Sequence, residues 1–115
     1  QHQESDLKSL HQAFMQRLNE RGVPEVDLHL HELIDDYAGM SVHERKVFQL
    51  EHAEKVVKAA VRYKVPRLVL IHGVGTRALK DGLRIMLSRY QNIRCEDASF
   101  RLYGYGATEL FIRIN

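Results

Sequence analysis

The chain has 115 residues and a net charge of +2, a size that fits one domain with its own core. It shows neither a signal peptide nor an apolar run near the ~18 residues of a transmembrane helix, so nothing in it points to a membrane or to secretion. The single cysteine, Cys95, cannot form an internal disulfide and fits the reducing cytoplasm. Because the sequence begins at Gln1 rather than at methionine, we expect it to belong to a longer chain.

Charge is distributed unevenly along the sequence. Residues 1–57 carry a net charge of −5, residues 58–94 carry +8 and residues 95–115 carry −1. Concentrated positive charge suits a phosphate backbone and indicates nucleic-acid binding. The alternative is a solubilising surface that pairs with the acidic N-terminal half. The nine basic residues of the middle segment, called the basic block below, are Lys58, Arg62, Lys64, Arg67, Arg77, Lys80, Arg84, Arg89 and Arg94.

The first predicted element is a helix over residues 5–20 with one apolar stripe. We interpret residues 1–22 as an appendage and residues 23–115 as the main domain. The helix is predicted from the helical spacing of Leu7, Leu10, Phe14 and Leu18.

Residues 26–31 alternate strictly between apolar and polar side chains, which predicts a strand. On such a strand Asp27, His29 and His31 share one face. A carboxylate beside an imidazole can orient the ring for acid–base chemistry, so these three are candidate catalytic residues. Chance alternation on a half-exposed strand is the alternative.

A loop is predicted over residues 32–40. Ser41 and Glu44 then have the spacing of a capping box, and a helix is predicted over residues 42–64. The Val-Pro pair that follows ends this helix and leads into the next strand.

The centre of the predicted fold is the segment 68–79. Residues 68–71 form a continuous apolar run, typical of a strand buried on both faces. A turn with two glycines follows, and then a helix begins with Thr76 as its predicted N-cap. Strand, glycine turn and helix N-terminus together predict an anion site. The candidate phosphate-binding residues here are Gly73, Gly75, Thr76, Arg77, Lys80 and Arg84, with His72 as a further catalytic candidate.

The last predicted elements are a strand over residues 93–100, a turn over 101–106 that contains Gly104 and Gly106, and a strand over 108–114. The order predicts an α/β two-layer sandwich with a β-α-β-α-β-β mixed four-stranded sheet and an extra N-terminal helix. Right-handed crossovers make the first three strands parallel, and a short last connection makes the fourth antiparallel.

This topology predicts where the candidate residues meet. The carboxyl ends of parallel strands share one edge of a sheet, where ligands of open α/β sheets bind. We therefore expect His29, His31 and His72 to lie at that edge, together with the glycine turn and the turn at residues 103–106.

Three motifs stand in order over residues 23–115: Val26-Asp-Leu-His29, Ile71-His-Gly-Val-Gly-Thr76 and Tyr103-Gly-Tyr-Gly-Ala-Thr108. In order and spacing they resemble the motifs of Smr (small MutS-related) domains. The family fold is the same sandwich, like the C-terminal domain of bacterial translation initiation factor three.

The resemblance implies nucleic-acid binding and, in many members, endonuclease activity on DNA or RNA. It also implies that Asp27 and His29 are the working pair, that the glycine turn holds phosphate, and that Gly104 and Gly106 belong to a closing turn. The alternative is a non-catalytic module of a larger protein that docks on nucleic acid or the ribosome.

The two substrates need different chemistry. Attack by the 2′-hydroxyl of RNA needs a base, an acid and positive charge at the phosphate, which His29, with His31 or His72, and the basic residues can supply. DNA lacks this nucleophile and needs an activated water, for which a divalent cation such as Mg²⁺ or Mn²⁺ on Asp27 and a histidine is an option. The sequence has no closed Cys/His pattern for structural zinc.

Overall fold

A four-stranded sheet organises the chain in the computed structural model, which describes residues 3–75 and 77–114. Thr76, the predicted helix N-cap, lies outside the described residues. The elements in chain order are α1 (Glu4–Phe14), β1 (Glu25–Asp27), α2 (Leu30–Leu33), α3 (Val42–Arg62), β2 (Arg67–Ile71), α4 (Arg77–Leu87), β3 (Ile93–Asp97), α5 (Phe100–Tyr103) and β4 (Ala107–Ile112).

The strand order is β1-β2-β4-β3. Strand β1 runs parallel to β2, and β4 is antiparallel to both β2 and β3. The first three strands therefore point the same way and the fourth is inserted between the second and third. The predicted α/β fold with a mixed four-stranded sheet is confirmed.

Strand β2 is buried on both faces, as its continuous apolar run predicts. Leu68 and Leu70 lie in the main core with side chains of α3 and α4, while Val69 packs on the other face with Val23 and Ala107. Alternate side chains of one strand thus serve two apolar clusters, which is why the run shows no polar interruption.

Helix α3 begins where the sequence indicates. The Ser41 hydroxyl accepts a hydrogen bond from the Glu44 N–H at 3.1 Å, and the Glu44 carboxylate accepts one from the Ser41 N–H at 2.7 Å. The predicted capping box is therefore present. The helix ends at Arg62, two residues before the predicted end, and Lys64 follows in the left-handed conformation with φ +58°.

Helix α1 is shorter than predicted and ends at Phe14 rather than near residue 20. The Asn19 side chain accepts hydrogen bonds from the N–H groups of Arg21 and Val23, which turns the chain back toward β1. Leu18 therefore leaves the helical stripe and pairs with Pro24 in an isolated bridge.

Strand β1 is also shorter than the alternating pattern predicts, and it ends at Asp27. The Asp27 carboxylate accepts a hydrogen bond from the His29 N–H at 2.9 Å, so the backbone turns here and enters α2. Two expectations are therefore wrong: Asp27, His29 and His31 do not share a strand face, and residues 32–40 are not loop throughout, because α2 runs to residue 33.

The last predicted strands also differ in their bounds. Strand β3 ends at Asp97 rather than at residue 100, and β4 covers 107–112 rather than 108–114. The short helix α5 takes up part of the predicted turn, because the chain leaves the ladder after Asp97 pairs with Thr108.

Candidate active site at the carboxyl edge of the sheet

Strand β2 meets the turn before β4 through one carbonyl group. The N–H groups of His72 and Gly73 both donate to the carbonyl oxygen of Gly106, each at 2.9 Å. The glycine turn after β2 and the glycine-rich turn before β4 therefore lie together, at the edge where β1, β2 and β3 end.

Backbone conformation at Gly73 and close packing at both Gly73 and Gly106 favour glycine at the two positions that make this contact. Gly73 has φ +84°, and a Cβ there would lie 2.6 Å from Nε2 of His29. A Cβ on Gly106 would lie 3.4 Å from the Cα of Gly73. The turn therefore combines a left-handed backbone with close packing against a histidine ring.

Asp27 and His29 form a directly bonded pair. Nδ1–H of His29 donates to Oδ1 of Asp27 at 2.6 Å, and the same oxygen accepts the His29 backbone N–H. A carboxylate can only accept, so Nδ1 carries a proton and Nε2 is the ring nitrogen on the side of Gly73. The His29 side chain is 43% exposed, which leaves room for a substrate to reach it.

His31 lies beside this pair but on helix α2. Its ring stacks on that of His29 with centroids 5.6 Å apart and 28° between the planes. Its Nε2 lies 3.5 Å from the Glu32 carboxylate. The structure therefore brings His31 to the site by ring stacking and not by strand alternation.

His72 occupies the edge as expected, yet its ring is buried, with the residue only 7% exposed. Nδ1–H donates to the Gly73 carbonyl at 2.9 Å, and the Thr108 hydroxyl donates to Nε2 at 3.1 Å. Burial lowers the pKa of His72, and the charges of Lys80 and Arg84 lower it further. Both ring nitrogens are thus engaged within the protein, an arrangement that supports the turn.

The basic face of α4 is held by an acidic residue that the sequence analysis did not single out. Asp97 Oδ1 lies 3.1 Å from the Lys80 ammonium and accepts a hydrogen bond from Arg84 at 3.0 Å. The adjacent Lys80 holds the pKa of Asp97 below its usual range. The topology offered a signal for this residue, because Asp97 ends the third parallel strand and such ends meet at one edge.

A shallow cleft joins the glycine turn to the basic residues. Its lining residues are Gly73, Val74, Arg77, Lys80 and Tyr105. Arg77 is exposed. Arg84 does not line the cleft, but it contacts the same Asp97 carboxylate oxygen as Lys80, which does.

Two of the other candidate glycines have different surroundings. Gly75 lies in the exposed part of the turn with no atom within 4 Å of a built Cβ, and Gly104 ends α5 with φ +61°.

Much of the basic block lies away from this cleft. Three of its arginines pair with acidic residues outside the cleft: Arg62 with Glu4, Arg67 with the buried Glu109, and Arg94 with Glu96. Of these three pairs, only Arg62–Glu4 joins the block to the acidic N-terminal half, as the solubilising alternative expects, and the cations that face the site are those of helix α4.

The donor set at the site fits a hydrogen-bonded pair better than a dedicated metal centre. Asp27 Oδ1 already accepts two hydrogen bonds from His29. Across residues 3–75 and 77–114, no three or more His, Cys, Asp or Glu side chains are grouped as metal ligands.

The sequence from residue 27 to 113 matches the family model of the Smr domain. The chain belongs to the Smr family. Members of this family are nucleic-acid-binding and endonuclease-like modules. The fold is similar to the crystal structure of the Smr domain of Thermus thermophilus MutS2, with a TM-score of 0.57 and 29% identity over 80% of this chain and 100% of that one. No curated protein matches the chain. In the described part of the Smr domain, no helix has the length and apolarity to cross a membrane.

The close contact at Gly73 leads to a test of the site's packing. Gly73→Ala should lower the free energy of unfolding by about 1 kcal/mol or more, because alanine disfavours φ +84° and its Cβ displaces His29. Urea denaturation measures the first effect and histidine ring NMR the second. Gly75→Ala is the matched control, since nothing lies within 4 Å of its Cβ. Unchanged stability and unchanged His29 signals in Gly73→Ala would contradict the packing.

Burial of neutral His72 leads to a pH dependence of stability. Its pKa is lowered from 6.5 on folding, so the unfolded chain takes up the proton first. The stability that depends on a neutral His72 ring is therefore fully present above about pH 6.5. It is lost as the pH falls from there toward the lowered pKa of the folded state. Melting temperatures between pH 7.5 and 5 should fall, and the fall should be smaller in His72→Gln.

His52 also has a pKa that burial lowers, so it acts in the same direction and His52→Gln is the comparison variant. Equal pH dependence in His72→Gln and wild type would show that the His72 ring does not resist protonation in the folded state.

Proposed function

We propose that this Smr domain is an endonuclease that holds a nucleic-acid phosphate at the glycine turn and cleaves it with the Asp27–His29 pair. The observation that supports it is the 2.6 Å hydrogen bond between the two side chains, with the free ring nitrogen beside Gly73. Such a pair is the orienting arrangement that general bases use. The domain would act as part of a longer protein in the cytoplasm.

RNA is the substrate that these side chains serve most simply. Nε2 of His29 accepts the proton of the 2′-hydroxyl, and the resulting oxyanion attacks the adjacent phosphorus. Asp27 holds the ring in the required tautomer and stabilises the imidazolium that forms. The products are a 2′,3′-cyclic phosphate and a 5′-hydroxyl, which takes up a proton as it leaves.

Two histidines were candidates for the acid that supplies this proton. His72 is buried with both ring nitrogens engaged, whereas His31 is exposed and stacks on His29. We assign the acid role to His31 or to water that it orients.

The phosphate is held by positive charge and by backbone groups. Arg77 and Lys80 line the cleft next to Gly73, and the N-terminus of α4 begins at Arg77. A helix N-terminus and nearby cations stabilise the charge that builds on the phosphate oxygens during attack. Asp97 keeps Lys80 and Arg84 in place on this side of the cleft.

Hydrolysis of DNA is the related alternative and would require an activated water. A divalent cation, Mg²⁺ or Mn²⁺, would have to bind Asp27 in competition with the two hydrogen bonds from His29. A second candidate function is a non-catalytic module that docks on nucleic acid or the ribosome. Its support is that one of the three site histidines, His72, is fully engaged within the protein.

Binding is tested by removing the two cations of the cleft. Arg77→Ala with Lys80→Ala should weaken nucleic-acid binding and reduce the slope of log K against log salt by about one per lost phosphate contact. Fluorescence anisotropy at several salt concentrations measures both quantities. The matched control is Lys58→Ala with Arg89→Ala, which removes the same charge from the basic block away from the cleft. If both double variants behave alike, net charge rather than the cleft governs binding.

Catalysis is tested at His29. His29→Ala should slow cleavage of labelled RNA by about 10²–10⁴-fold, the usual contribution of a general base, while binding changes little. Asp27→Asn should also slow it, because the amide cannot stabilise the imidazolium. His43→Ala, an exposed histidine at the start of α3, is the control.

The substrate separates the two mechanisms. A 2′-deoxy nucleotide at the scissile position stops hydroxyl attack but not hydrolysis by a metal-bound water. A chelator stops hydrolysis by a metal-bound water but not hydroxyl attack. A His29→Ala variant that cleaves at the wild-type rate would move the active site elsewhere. A wild-type protein that cleaves neither RNA nor DNA with any divalent cation would favour the binding module.

A further inference from the structure

Two aromatic rings are exposed to solvent beside the candidate site. Phe100 in α5 is 63% exposed and Tyr105 is 73% exposed, and their ring centroids lie 4.8 Å apart at an angle of 64°. Val74, in the glycine turn, is also largely exposed. Neighbouring exposed apolar side chains of this size are typical of a binding surface.

The aromatic pair belongs to the same cleft as the cations. Tyr105 lines the cleft together with Val74, Arg77 and Lys80, and Phe100 lies in edge contact with Tyr105. The cleft also includes Gly73, where a Cβ would lie 2.6 Å from Nε2 of His29. A ligand that contacts Tyr105 and the cations is therefore next to the proposed general base.

The turn that carries Tyr105 is fixed on both sides. After it, the Gly106 carbonyl accepts hydrogen bonds from the N–H groups of His72 and Gly73. Before it, the Tyr103 hydroxyl donates to Glu25 at 2.5 Å and accepts from the Asn19 amide at 3.1 Å. Burial and the Glu25 carboxylate raise the pKa of Tyr103 to about 12, so this donor is retained at neutral pH. A surface fixed in advance loses less conformational entropy when it binds.

The combination of an aromatic face and cations selects the chemistry of the ligand. Nucleotides carry a flat π-system and a negative phosphate side by side, and bases of single strands stack on aromatic side chains. In a duplex the base faces are covered by neighbouring base pairs and cannot reach a protein ring. The positive charge of Arg77 and Lys80 complements a phosphate that lies beside the stacked base.

We infer that Phe100 and Tyr105 form a stacking platform for an unpaired nucleobase next to the phosphate held at the glycine turn. This inference rests on the proposed function and deepens it, since it names the substrate as a single-stranded segment or a loop rather than a continuous duplex. Stacking holds the nucleotide so that its backbone passes His29.

The first experiment compares single-stranded and duplex oligonucleotides of one sequence, with a 2′-deoxy backbone so that hydroxyl attack cannot occur. Tyr105→Ala and Phe100→Ala should each weaken single-strand binding by about five-fold or more, the lower end of base–aromatic stacking. Duplex binding should change by less than about two-fold. Tyr105→Phe keeps the ring and should bind as wild type.

Ile85→Ala is the control for loss of an exposed apolar side chain, because Ile85 is exposed on α4 and does not line the cleft. Circular dichroism confirms that each variant is folded. A second readout is the fluorescence of 2-aminopurine in the single strand, which stacking quenches. Wild type and Tyr105→Phe should quench it, and Tyr105→Ala should not.

The outcomes separate this inference from the proposed function. If Arg77→Ala with Lys80→Ala weakens binding while Tyr105→Ala and Phe100→Ala leave single-strand binding and quenching unchanged, the platform is wrong and the phosphate site stands. If Tyr105→Ala and Phe100→Ala lose affinity equally for the single strand and the duplex, the inference that the platform selects an unpaired base is wrong. A wild-type protein that binds neither form overturns both proposals, and the aromatic pair would then be a surface for a protein partner.

Discussion

The hydrogen bonds from His72 and Gly73 to the Gly106 carbonyl are the constraint on which the site depends. They join the turn after β2 to the turn before β4, and each turn has a glycine at this point, so the two backbones can approach closely. The same left-handed turn leaves the space that the His29 ring fills. The position of His29 is thus set from two directions, by the Asp27 carboxylate on one ring nitrogen and by the glycine turn beside the other.

Asp97 shows how the protein holds cations in place without a ligand. One carboxylate oxygen contacts both Lys80 and Arg84, which limits the freedom of these two long side chains. The carboxylate is exposed, so the attraction is weakened by solvent and an incoming anion can compete with it. The cleft therefore combines ordered cations with a modest net charge, and the exposed Arg77 adds charge at its mouth.

The features that a local sequence pattern encodes were predicted correctly. The features missed were those in which a side chain takes a backbone hydrogen bond, or in which an element is too short to show a pattern. The apolar run of β2, the Ser41–Glu44 capping box and the parallel direction of three strands follow from periodicity and chain connectivity. The strand through His31 was wrong because the Asp27 side chain takes a backbone N–H that a strand would need. Helix α5, with four residues, is too short to show a helical period.

The insertion of β4 between β2 and β3 has a consequence for synthesis on the ribosome. Proteins emerge from their N-terminal side, so the Asp27–His29 pair appears long before the Gly106 carbonyl that closes the turn. Until residues 107–112 are available, β2 and β3 have no shared neighbour and the cleft cannot form. The cleft and the turn contact beside His29 are therefore incomplete until the final strand of the sheet has emerged.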